Sequence, residues 1–154
     1  MPKHLKIKVS QGEIYSYDYL SRRGLFPVKQ FIIDPLPYYR YDFYFSYQGR
    51  EYLVEIDGQQ HFRFTSVFDS SVKNFYARRR RDFLKTVVAV MSGYYIIRVA
   101  YDDLARLPEI IEEALLGHHR YYFSSEQTYS YFITTKIPSQ WFSSYGQHLQ
   151  GKLE

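Results

Sequence analysis

The alternation of apolar and polar positions divides the chain into a short series of helices and strands. Ser10-Gln11-Gly12-Glu13 has the S-x-x-E spacing of a capping box, and Ile14, Tyr17 and Leu20 follow as an apolar stripe. This predicts a helix starting at Ser10, and Gly24 is its stop signal. Val28 to Ile33 reads as an extended segment and Asp34-Pro35-Leu36-Pro37 as a loop, because its prolines oppose helix. Tyr41 to Tyr47 and Glu51 to Asp57 are β-prone runs separated by a Gln48-Gly49 turn, a hairpin that Gly58 ends. Phe62 to Ser71 has no clear period and reads as a surface loop. Between Val72 and Ser92, Phe83, Val87 and Val90 make one apolar line that Leu84, Val88 and Met91 widen, so a long helix is expected there, closed by Gly93. Tyr94 to Tyr101 is a mostly apolar strand, of the kind buried on both faces of an α/β sheet. Pro108 and Gly117 bracket another helix, Pro108 to Leu116. The remainder is rich in Tyr, Ser and Gln, with one β-like stretch at Tyr129 to Ile137.

A strand that leaves through a long helix and returns as a strand normally returns in parallel. The order of elements therefore predicts an α/β fold, a mixed β-sheet flanked by α-helices. Residues 1–117 would form the core, and residues 118–154 a C-terminal extension packed on or beside it.

Composition narrows the class. A chain of 154 residues with 45% hydrophobic and 23% charged residues can bury a core as a single domain. No apolar run approaches the roughly 18 residues that a spanning helix needs. Met1 to Ser10 alternates Lys with aliphatics and lacks the hydrophobic stretch of a signal peptide. The expectation is a soluble intracellular protein of the cytoplasm or nucleus of a host cell, with no membrane partner and no secretion. The absence of cysteine excludes a disulfide framework and a thiolate zinc site. The net charge of +4 and the 20% aromatic content are compatible with a polyanionic partner without specifying one.

The chemistry concentrates around one hairpin. Alternation along Glu51 to Asp57 puts Glu55 and Asp57 on one face and Tyr52, Val54 and Ile56 on the other. The preceding strand carries Asp42 in an otherwise aromatic run, where an uncompensated carboxylate is costly. A divalent cation is one compensator, since Mg²⁺ takes carboxylate oxygens, keeps several waters and completes its shell with phosphate. The alternative is ordinary pairing of Asp42 with Arg40 or Arg50. Gly58-Gln59-Gln60-His61 follows directly, adding two amides and an imidazole that could carry a proton or bind a metal. Asp82 and Lys85 share a helix face and could simply form a surface ion pair. Arg78, Arg79, Arg80 and Arg81 wrap most of the way around that helix and are the strongest polyanion signal, with Arg63 and Lys73 nearby. Glu13, three residues after Ser10, either caps its own helix or joins the acids.

Taken together, Gly12-Glu13, Tyr41-Asp42-Phe43, the run from Glu55-Ile56-Asp57-Gly58 through Gln59-Gln60-His61-Phe62, Asp82, Lys85 and Ile97-Arg98-Val99 resemble a known pattern. It is similar to the PD-(D/E)XK, restriction-endonuclease-like nuclease superfamily, in the branch of Vsr-like nickases and phage or viral homing endonucleases. The resemblance covers roughly Ser10 to Leu104. It implies a restriction-endonuclease-like sheet, Mg²⁺ or Mn²⁺ as cofactor, DNA as partner, and metal binding by Asp42 and Glu55 with Glu13 contributing. Asp57 stands where the usual lysine would be and Tyr41 replaces the proline. The resemblance leaves Asp57, His61, Lys85 and Asp82 as candidates for the group that handles the attacking water. His61 and Asp82 match the histidine and late helical acid of that branch.

The expected activity is metal-dependent endonucleolytic hydrolysis of DNA, with Gln59, Gln60, Arg63 and Arg78 to Arg81 on the nucleic acid. One site per chain cuts one strand, so a double-strand break requires a homodimer. Two competitors are a catalytically inactive nucleic-acid-binding module on the same fold, favoured by the departure at Asp57, and an assembly protein using the Tyr-rich tail.

Overall fold

A computed structural model describes residues 10–63, 71–130 and 132. Helix α1 is Gln11–Arg22, followed by strands β1 (Val28–Phe31), β2 (Tyr41–Tyr47) and β3 (Arg50–Asp57). Helix α2 (Val72–Met91) leads to β4 (Tyr95–Ala100), and α3 (Leu107–Leu116) to β5 (Tyr121–Phe123). The five strands form one sheet in sequence order, antiparallel from β1 to β3 and parallel from β3 to β5. The fold is thus α/β, a mixed sheet with flanking helices. Among the described residues no helix is long and apolar enough to cross a membrane.

Local chemistry accounts for the ends of these elements. The Ser10 side chain accepts from the Glu13 N–H while Glu13 reaches back to the Ser10 N–H, the expected capping box. Gln48 (φ 49°) and Gly49 (φ 77°) both adopt positive φ, the two-residue turn whose twist matches a hairpin. Ser71 caps α2 by accepting from Asn74, and Gly93 (φ 91°) follows its end in the left-handed region.

The two sheet faces bury different helices. Tyr52, Val54 and Ile56 pack with Ile97, Val99, α1 and α3, whereas Leu53 and Ile96 pack with Leu84, Val88 and Ala89 of α2. Each fully buried aliphatic side chain contributes roughly 1.5–3 kcal/mol. Alternation places Glu55, Asp57 and Arg98 on the α2 face. The sheet-facing stripe of α2 is consequently mixed: Leu84 and Val88 share it with buried Asp82, Lys85 and Thr86. Phe83, Val87, Val90 and Met91, expected in the helix's apolar face, instead line a groove beside Phe123 and Phe132.

Three expectations change. β1 ends at Phe31, and Ile33 enters the core from the loop beyond it. The tail supplies a strand earlier than expected, at β5. Within the expected strand Tyr129 to Ile137, Tyr129 and Ser130 form a turn and Phe132 is helical, while the rest lies outside the described residues. Most of the Phe62 to Ser71 loop lies outside them as well.

Candidate active site

The carboxyl end of β3, the start of β2 and the start of α1 enclose one side of a cavity of about 500 Å³. Gly12 lets α1 come this close, because a Cβ there would stand 2.9 Å from Leu104 and 3.2 Å from Ile56. Its neighbour Glu13 therefore both caps its helix and lines the cavity. The two readings of Glu13 coexist.

Asp42 and Glu55 are fixed by each other's strands. Glu55 Oε1 accepts the Asp42 N–H at 3.1 Å, and Asp42 Oδ2 accepts the Ile56 N–H at 2.7 Å. Lys85 reaches down from α2, its Nζ 3.0 Å from Glu55 Oε1 and 2.6 Å from the Arg40 carbonyl oxygen. Burial, then the neighbouring Glu55 and, more weakly, Glu13, push the Asp42 carboxyl well above its usual range against the lowering effect of the Ile56 N–H. Three acids thus meet one lysine ammonium.

The donor set suits a hard cation. One oxygen of each carboxylate is taken, Asp42 Oδ2 by the Ile56 N–H and Glu55 Oε1 by the Asp42 N–H and Lys85; the Glu13 side chain adds a hydrogen bond at the Asp42 carboxyl, and among the described residues Glu55 Oε2 keeps no hydrogen bond. No three acidic or imidazole side chains among the described residues are gathered closely enough to wrap a metal ion themselves. Mg²⁺ and Mn²⁺ do not require that, since one or two carboxylates, waters and a substrate phosphate complete an octahedral shell for Mg²⁺.

Asp57 sits two residues from Glu55 in a different environment. It has no exposed surface and does not line the cavity. Arg98 holds it bidentately, Nε to Oδ2 at 2.9 Å and Nη2 to Oδ1 at 2.7 Å, and the Tyr129 hydroxyl donates to Oδ2 at 2.8 Å. Burial would raise its pKa, but Arg98, His61 and Tyr129 outweigh that and hold it below the usual carboxylate range. Asp82 and Lys85 do not pair on the surface. Asp82 is buried and turns to His61, whose Nδ1 lies 2.6 Å from its Oδ2, while Arg98 Nη2 is 3.5 Å from its Oδ1. Thr86 braces the group, donating to the Asp82 carbonyl oxygen and accepting from Arg98.

Gln60 and His61 line the cavity, whereas Gln59 is exposed. A Cβ at Gly58 would meet the Gln60 side-chain amide, the movable end of a flexible side chain. The arginine run divides. Arg78 donates to the Gln60 carbonyl at 3.0 Å and Arg79 to the Phe62 carbonyl at 2.9 Å, binding the His61 turn to α2. Arg80, Arg81 and Arg63 are exposed, with Arg81 over the Tyr39 ring.

Sequence reasoning thus assembled Glu13, Asp42, Glu55, Gln60, His61 and Lys85 at one cavity. It included Arg98 in the quoted pattern without giving it a role, and it did not identify Tyr129. A charged residue inside the apolar run Tyr95-Ile96-Ile97-Arg98-Val99-Ala100 was the available signal for a buried acid partner; Tyr129 had none. No family model, curated protein or solved structure matches the chain.

Proposed function

We propose that this chain is a metal-dependent endonuclease of restriction-endonuclease-like fold that hydrolyses phosphodiester bonds in DNA. The observation that carries the reading is the meeting of Asp42 and Glu55 at adjacent strand ends, with Glu13 beside Asp42 and a buried lysine on Glu55. Lys85 meets Glu55 from α2, which gives the acid pair an ammonium although β3 carries Asp57 at the expected lysine position. That arrangement weakens the main argument for an inactive binding module.

Asp42 and Glu55 would hold Mg²⁺ or Mn²⁺, with waters and the substrate phosphate completing the shell and Glu13 standing beside Asp42. When bound, such an ion polarises the phosphate and makes a coordinated water more acidic. Lys85, anchored by the Arg40 carbonyl, orients the Glu55 carboxylate and adds positive charge where the phosphoryl oxygens develop negative charge. His61 carries a proton at the reacting centre, aligned by Asp82. Arg80, Arg81 and Arg63 offer exposed charge to the backbone, an attraction that weakens with salt.

Supercoiled-plasmid cleavage by wild type and Glu55→Ala, with Mg²⁺, Mn²⁺ and EDTA in parallel, tests the reading. The expected result is metal-dependent nicking, or linearisation if two copies act together, that is lost in the variant. Salt-sensitive DNA binding without cleavage under any metal would instead favour the binding module.

A further inference from the structure

The nuclease reading leaves the direction of proton transfer at His61 unassigned, and the buried charges around it are informative. Asp57 on β3 and Asp82 on α2 are both buried, with Arg98 of β4 between them and also buried. Two carboxylates against one guanidinium leave one excess negative charge in a region where unpaired charge is strongly disfavoured. Among the described residues His61 is the remaining ionisable partner, 2.6 Å from Asp82 and 3.7 Å from Asp57. A ring protonated on both nitrogens neutralises the cluster; a neutral ring leaves the excess in place.

Among the described residues, the other groups facing His61 point the same way or are already committed. From α2, Lys85 is spent on Glu55 and the Arg40 carbonyl, and Arg78 donates to the Gln60 carbonyl. Tyr129 donates to Asp57. Across the cavity stand the acids Glu13 of α1, Asp42 of β2 and Glu55 of β3. Burial alone would lower the imidazole pKa, but Asp57 and Asp82 outweigh it, raising it from the ordinary 6.5. With Nδ1 held by Asp82, Nε2 is the nitrogen left for a substrate.

We infer that the Arg98, Asp57 and Asp82 cluster holds His61 as an imidazolium that donates its Nε2 proton to the leaving oxygen of the scissile phosphodiester. This rests on the nuclease reading. In the step, a water oxygen bonds to phosphorus as the bond from phosphorus to the leaving deoxyribose oxygen breaks. The electron pair stays with that oxygen, which takes the proton from Nε2. The attacking water releases its proton to solvent, and solvent reprotonates His61. Arg98 is a positioning residue, acting through the two acids.

An NMR titration of His61 in the full chain, together with bridging-sulfur DNA substrates, tests this. His61 should be protonated at pH 7. Its midpoint should fall in Asp82→Asn and rise in Arg98→Met, opposite shifts that general loosening of the site would not produce. His61→Ala should slow cleavage of ordinary DNA at least a hundredfold, within the usual range for a lost acid–base group. On DNA carrying sulfur in place of the leaving bridging oxygen, made in both 3′ and 5′ forms, the loss should shrink to less than about tenfold, because a thiolate leaves without a proton. A neutral His61 at pH 7 overturns the inference and leaves the nuclease reading standing. Equal losses on oxygen and sulfur substrates overturn the donor role. A wild type that cleaves no DNA with any metal removes the nuclease reading and the donor role together, whatever the titration shows.

Discussion

Glu55 and Asp57 occupy the same face of the same strand, two residues apart, and end in opposite electrostatic situations. Asp57 joins Asp82, Arg98 and His61 in a group whose charges can cancel. Glu55 joins Asp42 and Glu13 around one lysine, where the acids outnumber the cation. The residue types are alike; the counter-charge delivered by neighbouring elements separates them. β4 delivers a guanidinium to Asp57, although the strand register sets Arg98 opposite Glu55, and α2 delivers an ammonium to Glu55. A balanced group consolidates the fold, and an unbalanced one is open to a cation.

The harshest way to break this contrast is to unbalance the closed group. Arg98→Met should cost about 3–5 kcal/mol, the scale of stranding one partner of a buried ion pair. Urea denaturation measures it. Replacing both partners, Asp57→Leu with Arg98→Met, should recover most of that loss, since paired apolar substitution leaves no orphan charge. A loss below about 1 kcal/mol in the single variant, within the scatter of ordinary substitutions, would mean that Arg98 is not the group's keystone.

Next in size is the open group's own role. Glu55→Ala should abolish metal-dependent cleavage, a drop of at least a hundredfold on the scale of losing one electrostatic contact to the transition state. Circular dichroism should show the fold retained. Lys85→Met should also slow cleavage, since it leaves Glu55 without its ammonium; an unchanged rate would show that Lys85 serves stability alone.

Why one group was foreseeable and the other was not follows from the distance along the chain at which each is specified. The capping box at Ser10, the Gln48-Gly49 turn and the alternation through Glu55 are local, and they set elements and faces directly. Helical spacing likewise put Asp82 and Lys85 on one side of α2. Their partners are not local. Arg98 reaches Asp57 only because β3 and β4 pair in parallel, and Tyr129 arrives from beyond a three-residue strand too short to show a period. The same distinction explains the arginines, of which Arg78 and Arg79 find carbonyls of a turn brought in by the fold.

A smaller effect sharpens the contrast from the stability side. Asp42→Asn should raise the unfolding free energy measured in urea at neutral pH by about 1 kcal/mol while removing cleavage, the usual exchange at a site strained for function. The sign follows from Asp42's raised carboxyl. Its contribution to stability is present below its usual 3.8 and is lost as pH rises through the folded value, so the variant's advantage should vanish in acid. Mg²⁺ should stabilise wild type by binding the native state, and Asp42→Asn much less.

The smallest effect belongs to the single proton of His61. Burial opposes that proton, but Asp57 and Asp82 prevail and raise the folded pKa above the ordinary 6.5. The native state therefore binds a proton that the unfolded chain has begun to release, and in this interval stability falls as pH rises. The contribution is fully present below the unfolded value and is lost as pH passes the folded one. Urea midpoints from pH 5.5 upward should decline in wild type relative to His61→Phe, and this relative decline should shrink in Asp82→Asn, where Asp57 alone still favours the proton. A decline that persisted undiminished in Asp82→Asn and vanished in Glu55→Gln would place His61 in the cation-binding group, and the separation between the two clusters would fail.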